Sequence, residues 1–271
     1  MLEVSRSGYY GWQERRPSVR AQEDERLKVA IGVIHHRTRE TYGARRVQRE
    51  LAEDGFVAGR DRIVRLRRAL GLRCKQKRQF RVTTNSAHHL PVAPNLLEQR
   101  FEVERPNQVW VSDLTYIPTE EGWLYLAGIK DLFTREIVGY AMGERMTQEL
   151  VSQALTQALE AKRPGPGLIL HSDRGSQYCA HDYRRRLERY GLRASMSGCG
   201  NCYDNAPMES FWGSLKTELV HHQRYDSRRE AEASIRWYIE IFYNRQRRHS
   251  RLGYLAPAIF ALQVDNMRAA A

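Results

Sequence analysis

The order of apolar segments beyond Pro106 is the strongest constraint on what this chain can fold into. VWVSDLTYI, WLYLAGIKDL and EIVGYAM are three short segments rich in β-branched and aromatic residues, separated by 118–122 and 133–135. Such runs divided by turn residues predict an antiparallel meander. Residues 147–161 then place Leu150, Val151, Ala154, Leu155, Ala158 and Leu159 on one helical face, and PGPG ends that helix. GLILHSD is a continuous apolar run, the pattern of a buried strand in a parallel position. A helix over Ser176 to Tyr190 ending at Gly191, a strand in LRASM, and a helix over Ala206 to Val220 with Pro207 in its first turn follow. Three strands, then helix, strand, helix, strand, helix, make a mixed α/β layer.

Three acids stand out against this pattern. Asp113 interrupts an apolar strand, where an uncompensated carboxylate is costly and needs a partner. Asp173 ends the apolar strand GLILHSD, so it projects from the carboxyl edge of the sheet, the usual place for a site in α/β folds. Glu209 comes early in a helix that begins after the loop-like MSGCGNCYDN. Singly, each has an ordinary structural reading, a salt-bridged strand-end Asp or a first-turn Glu favoured by the helix dipole. Together they form an oxygen-only ligand set suited to magnesium or manganese, and two such ions can serve phosphodiester chemistry.

The trio WVSDLTYI, HSDRGSQY and YDNAPMESFWGSLKTE resembles the catalytic core of DDE transposases and retroviral-type integrases, with 35 residues between the second and third acids. More narrowly, the chain resembles the second-reading-frame product of the insertion-sequence-three family, from VSRSGYYGW through TYGARRV and RLRRALGL to YNRQRRHSRLGYLAP. That resemblance implies an RNase H-like mixed five-stranded sheet flanked by helices, with Asp113, Asp173 and Glu209 as catalytic and metal-holding residues. It also implies two magnesium (or manganese) ions with DNA bound, strand cleavage by water, and strand transfer by a 3′-hydroxyl. Element terminal repeats and target DNA are the implied partners, with a homo-oligomer on DNA and a frameshift fusion to the upstream-frame product. Lys216, seven residues after Glu209, matches the family pattern and would hold DNA near the metals, against the plain alternative of a solvated helix lysine.

The chain before this core is differently composed. Residues 1–104 hold 22 Lys and Arg against 13 Asp and Glu, whereas 105–271 hold 22 against 19, so most of the net charge of +12 lies upstream. A basic excess of this size points to a polyanion, because neutralised phosphates release counterions. Gln22 to His36 predicts a helix, with Leu27, Ala30, Ile31, Val33 and Ile34 at helical spacing and Glu23, Asp24 and Glu25 favoured at its N-terminal end. Val47 and Leu51 mark a second helix, Gly55 breaks it, and Ile63, Val64, Leu66 and Leu70 mark a third with Gly71 as its cap. Two short helices about a glycine turn are similar to a helix-turn-helix. Ten Lys and Arg lie between Arg60 and Arg81 with one acid, Asp61. Arg60, Arg62, Arg65, Arg67, Arg68, Arg73, Lys75, Lys77 and Arg78 are therefore the DNA-contact candidates, against the alternative of a solvated helix face.

The expected organisation is a basic helical domain over 1–81, a Pro-containing linker over 82–106, the catalytic core over 107–225 and a helical, basic and aromatic extension over 226–271 packed on that core. Arg245, Arg247, Arg248 and Arg251 in that extension either pack on the core or track phosphates. Cys199-x-x-Cys202 lacks the second ligand pair of a zinc site, and His35-His36 and His88-His89 lack ligand spacing. His171 either tunes the site or is structural, and Asn205 and Ser210 either position DNA or cap the helix, the cap being favoured. Four cysteines make no disulfide scaffold, and no run reaches membrane-spanning length, so a cytoplasmic protein is expected; the family resemblance implies a bacterial one, associated with the nucleoid when DNA-bound. The residue-level alternative is a DNA-binding regulator of transposition without catalysis.

Overall fold

The computed structural model describes residues 5–75, 91–198 and 202–270, in two units, 1–75 and 76–271. In the first unit, α1 (Arg6–Gln13) carries no buried residue. Helices α2 (Val19–Arg37), α3 (Ala44–Glu53) and α4 (Arg60–Ala69) pack around Leu27, Ile31, Ile34, Tyr42, Val47, Leu51, Ile63 and Leu66. Helix α2 begins three residues earlier than the spacing predicts, because the Ser18 hydroxyl caps it by accepting from Ala21 N at 3.2 Å. The acids Glu23, Asp24 and Glu25 thus lie beyond the first turn, where the dipole no longer selects them. Val33 and Leu70, expected inside, are 58% and 37% exposed. Gly55 ends α3 at φ +83°, the left-handed position that closes the last turn. Phe56 N donates to Leu51 O at 2.7 Å there.

The second unit is built on a five-stranded sheet in the order β3-β2-β1-β4-β5. β1 (Val109–Thr119), β2 (Gly122–Asp131) and β3 (Ile137–Gly143) are antiparallel, whereas β4 (Ile169–Ser172) and β5 (Arg193–Met196) run parallel to β1. This is the mixed RNase H-like sheet implied by the sequence. β1 runs through Pro118 and turns at Gly122, whose φ of +105° suits glycine, so the meander's first turn is tighter than 118–122.

Alternation along β1 divides the core. Trp110 faces α5 (Gln148–Lys162), α6 (Ser176–Cys179) and α7 (His181–Arg189). Val111 and Ile117 face α8 (Ala206–Glu218), α9 (Arg228–Trp237) and the wider-wound π-type turn Tyr238–Gln246 that continues it. Gly139 lets α5 approach β3: a Cβ there would fall inside contact with the Ala154 carbonyl oxygen and 2.7 Å from Ala158 Cβ.

Two predicted helices are interrupted. Ser176 to Tyr190 breaks at Ala180, which is extended (ψ 140°), so that Tyr178 and Cys179 enter the core ahead of Tyr183 and Leu187. Within the helical extension expected over 226–271, α9 widens after Trp237 and the helix runs on to Gln246, burying Tyr238, Ile239, Phe242 and Tyr243 together. Part of the stretch expected as a linker is anchored here. Leu97 is buried, Leu96 N donates to Ser195 Oγ (2.9 Å), and Asn95 Nδ2 donates to Asp204 (3.0 Å). Among the described residues, no helix is long and apolar enough to cross a membrane.

Candidate catalytic site

Strand register brings the first two acids together. Val111 of β1 lies opposite His171 of β4, so two residues further along each parallel strand come Asp113 and Asp173. Asp173 has left the ladder, and its Oδ1 accepts from Gly175 N at 3.0 Å. Asp113 points to the face covered by α8, where Glu209 occupies the exposed first turn. Its Oδ1 accepts from Leu114 N at 2.8 Å and its Oδ2 from Trp212 Nε1 at 3.0 Å. Burial and then the negative charge of Asp173 push the Asp113 carboxyl up to about 8; Glu209 adds to the rise, and the two hydrogen bonds oppose it.

Three contacts fix the start of α8. Asn205 Nδ2 donates to Ser112 O at 3.0 Å, beside Asp113. Lys130 Nζ donates to Pro207 O at 3.1 Å, and Trp212 reaches Asp113 as above. Asn205, expected as a side-chain cap, makes no such bond, because its amide is drawn to β1 instead. Ser210 is exposed just beyond the first turn. Lys216 is 7% exposed, with its ammonium 5.0 Å from the Tyr116 ring centroid. Burial lowers its pKa, and Asp113 favours its charged form. It therefore neighbours Asp113 rather than pointing into solvent.

His171 is structural. It is fully buried, with Nδ1 2.9 Å from Ser195 Oγ and Nε2 3.3 Å from Ser197 Oγ. Burial pushes it down to about 4, so it is neutral at pH 7.

Among the described residues, no group of three His, Cys, Asp or Glu side chains is placed so that it could hold a metal ion. The chemistry of the acids nevertheless fits a hard divalent cation. All the donors are carboxylate oxygens, and the repulsion felt by Asp113 from Asp173 and Glu209 is the strain such an ion relieves.

The basic candidates divide. Arg62 donates to Asp24 (2.7 Å) and pairs with Glu23 (3.1 Å), and Arg65 donates to Asp24 (2.6 Å). Arg67 is turned inward, 7% exposed, with Nη2 3.1 Å from Cys74 Sγ, because it lies one turn after Ile63 on the buried stripe of α4. Arg60, Arg68 and Arg73 are exposed, and Lys75 is half-buried. Lys77, Arg78 and Cys199 lie outside the described residues.

Lys130 was not singled out by the sequence. It is 3% exposed, and burial, followed by repulsion from Arg135, Arg247 and Arg251, lowers it to about 7. An unfolded lysine titrates near 10.5, so the unfolded chain binds more protons between these values and stability rises with pH from about 7 to 10.5. Lys130→Met is expected to remove a pH-dependent difference of roughly 5 kcal/mol across that window. Urea unfolding of both proteins at several pH values measures it; parallel curves would contradict the assignment.

Comparison with known families matches an HTH-like domain at residues 22–80 and Integrase core domains at 103–202 and 190–257. The chain is 66% identical over 266 residues to the insertion element IS600 uncharacterized 31 kDa protein of Shigella sonnei, covering 98% of each. It is 44% identical over 262 residues to transposase InsF for insertion sequence IS3A of Escherichia coli K12, covering 96% of this chain and 91% of that one. Solved structures similar to it include a chain of the simian T-cell lymphotropic virus intasome complex with the PP2A regulatory subunit B56 gamma. That match has 17% identity and a TM-score of 0.49, and covers 79% of this chain and 70% of that chain. The catalytic core domain of BIV integrase is another, with 16% identity and a TM-score of 0.46, covering 60% and 99%. With 44% identity across most of a named transposase, this chain belongs to the insertion-sequence transposase family that carries an integrase core.

Proposed function

We propose that the chain is a transposase that cleaves DNA at the ends of an insertion element and joins them to target DNA, with Asp113, Asp173 and Glu209 as its catalytic and metal-holding residues. The observation that supports this reading best is the parallel register of β1 and β4, which sets Asp173, just past the end of β4, beside Asp113 in the middle of β1. Asp113 lies under the helix that carries Glu209, and both other acids repel it. Magnesium or manganese, two ions when DNA is bound, would activate the attacking oxygen and stabilise the leaving one. Asp113 is held in one orientation by two donors, and Lys216 adds a cation beside it. Water cleaves one phosphodiester bond and leaves a 3′-hydroxyl; that oxygen then attacks a target phosphodiester, forming one P–O bond as another breaks.

The helical module over 1–81 is the proposed DNA-binding domain, through Arg60, Arg68, Arg73 and the flanking basic residues. Catalysis falls to 107–225, with 226–271 packed on it. Assembly as a homo-oligomer on element ends, and fusion to the upstream-frame product, complete the reading. Labelled element-end DNA incubated with the protein and magnesium is expected to yield joined products that a chelator abolishes. DNA binding without cleavage or joining would favour a non-catalytic regulator, and cleavage without joining a nuclease.

A further inference from the structure

Helix α8 carries an indole as well as an acid toward Asp113. Trp212 follows Glu209 by three residues, so the two share one side of the helix. Beneath the indole, β2 has glycine: Gly128 stands directly opposite Asp113 in the antiparallel register. A Cβ at Gly128 would lie 2.7 Å from Cη2 and 3.2 Å from Cζ2 of Trp212. The ring therefore occupies the space a side chain would fill, and its N–H reaches Asp113 Oδ2 at 3.0 Å. Leu114 N holds the other oxygen at 2.8 Å, so the carboxylate is pinned at both ends.

We infer that Trp212 is a positioning residue, whose indole N–H, admitted by Gly128, sets the orientation in which Asp113 presents its remaining lone pairs to a metal ion. This rests on the reading of Asp113 as a metal-holding residue. A partner that orients a ligating carboxylate changes metal affinity or activity by about 10–100-fold when lost, whereas a ring that only fills space does not.

Trp212→Phe keeps most of the ring and deletes the donor. In the full-length protein it is expected to retain wild-type DNA affinity while half-saturation by manganese, read by calorimetry, rises about 10-fold or more and strand joining falls by a similar factor. In metal-free protein, one indole N–H resonance, absent from Trp212→Phe, is expected to shift in Asp113→Ala. That shift is read in Asp113→Ala and does not require the Phe variant to bind metal or join DNA. An unmoved resonance, or wild-type manganese binding and joining by Trp212→Phe while Asp113→Asn is inactive, would overturn the inference and leave the catalytic reading standing. If the wild type itself neither bound manganese nor joined DNA, the catalytic reading would fall, and this inference with it.

Discussion

Asp113→Asn, Asp173→Asn and Glu209→Gln should each reduce strand joining by at least about 10³-fold, a loss of roughly 4 kcal/mol of transition-state stabilisation, while DNA affinity stays within a few-fold of wild type. Each exchange swaps one carboxyl oxygen of a shared site for an amide nitrogen and leaves side-chain volume almost unchanged. The three effects are not independent. Combining any two should cost little more than one alone, because groups that act as a unit lose their function together. Joining rates on labelled element ends, measured beside equilibrium DNA binding, test this. Asp113→Asn also relieves the crowding that raises the Asp113 carboxyl, so its melting temperature should not fall below wild type. An active Asp113→Asn protein would remove Asp113 from the site.

The largest effect on stability is expected at the far end of α8. Glu218 and Arg247 are 6% and 7% exposed, and Arg247 Nη2 donates to Oε1 at 2.6 Å and Nε to Oε2 at 2.8 Å. Tyr238 Oη donates to the same carboxylate at 2.8 Å. Burial works against the Arg247 charge, yet Glu218 holds it firmly protonated. Glu218→Gln leaves that guanidinium buried without a counter-charge, among cations that already depress Lys130. The expected cost is about 3–5 kcal/mol. Glu218→Leu combined with Arg247→Met should cost clearly less than the single change, because no charge is then stranded. Four of the five tryptophans lie in this unit, so urea unfolding followed by their fluorescence reads the transition. A single change costing under about 1 kcal/mol would show that the pair is solvated in solution.

The sheet was legible in the sequence because its two strand types carry different patterns. The meander strands end at turn residues, and the parallel β4 reads as an unbroken apolar run. Asp113 was legible for the opposite reason, as a charge that breaks such a pattern. What was hidden is pairing across the fold. A count of Lys and Arg over Arg60 to Arg81 registers charge but not partners, so it could not separate exposed Arg68 from Arg62, which is tied to Asp24, or from Arg67, which lies on the buried stripe of α4. Lys130 near the end of WLYLAGIKDL reads as the usual strand-end lysine at the surface, yet α8 covers it. Asn205 has the composition of a cap, but β1 offers its amide a nearer acceptor. Trp212 reads as core. Only the register that sets Gly128 against Asp113 shows why its N–H arrives there.

On this reading Asp113, Asp173 and Glu209 form one divalent-metal site, and manganese stoichiometry on the protein bound to element-end DNA is its direct test. Electron paramagnetic resonance should count two ions per catalytic unit in the wild type and fewer in each of the three single variants at equal DNA occupancy. Two ions retained when all three acids are replaced together would contradict it.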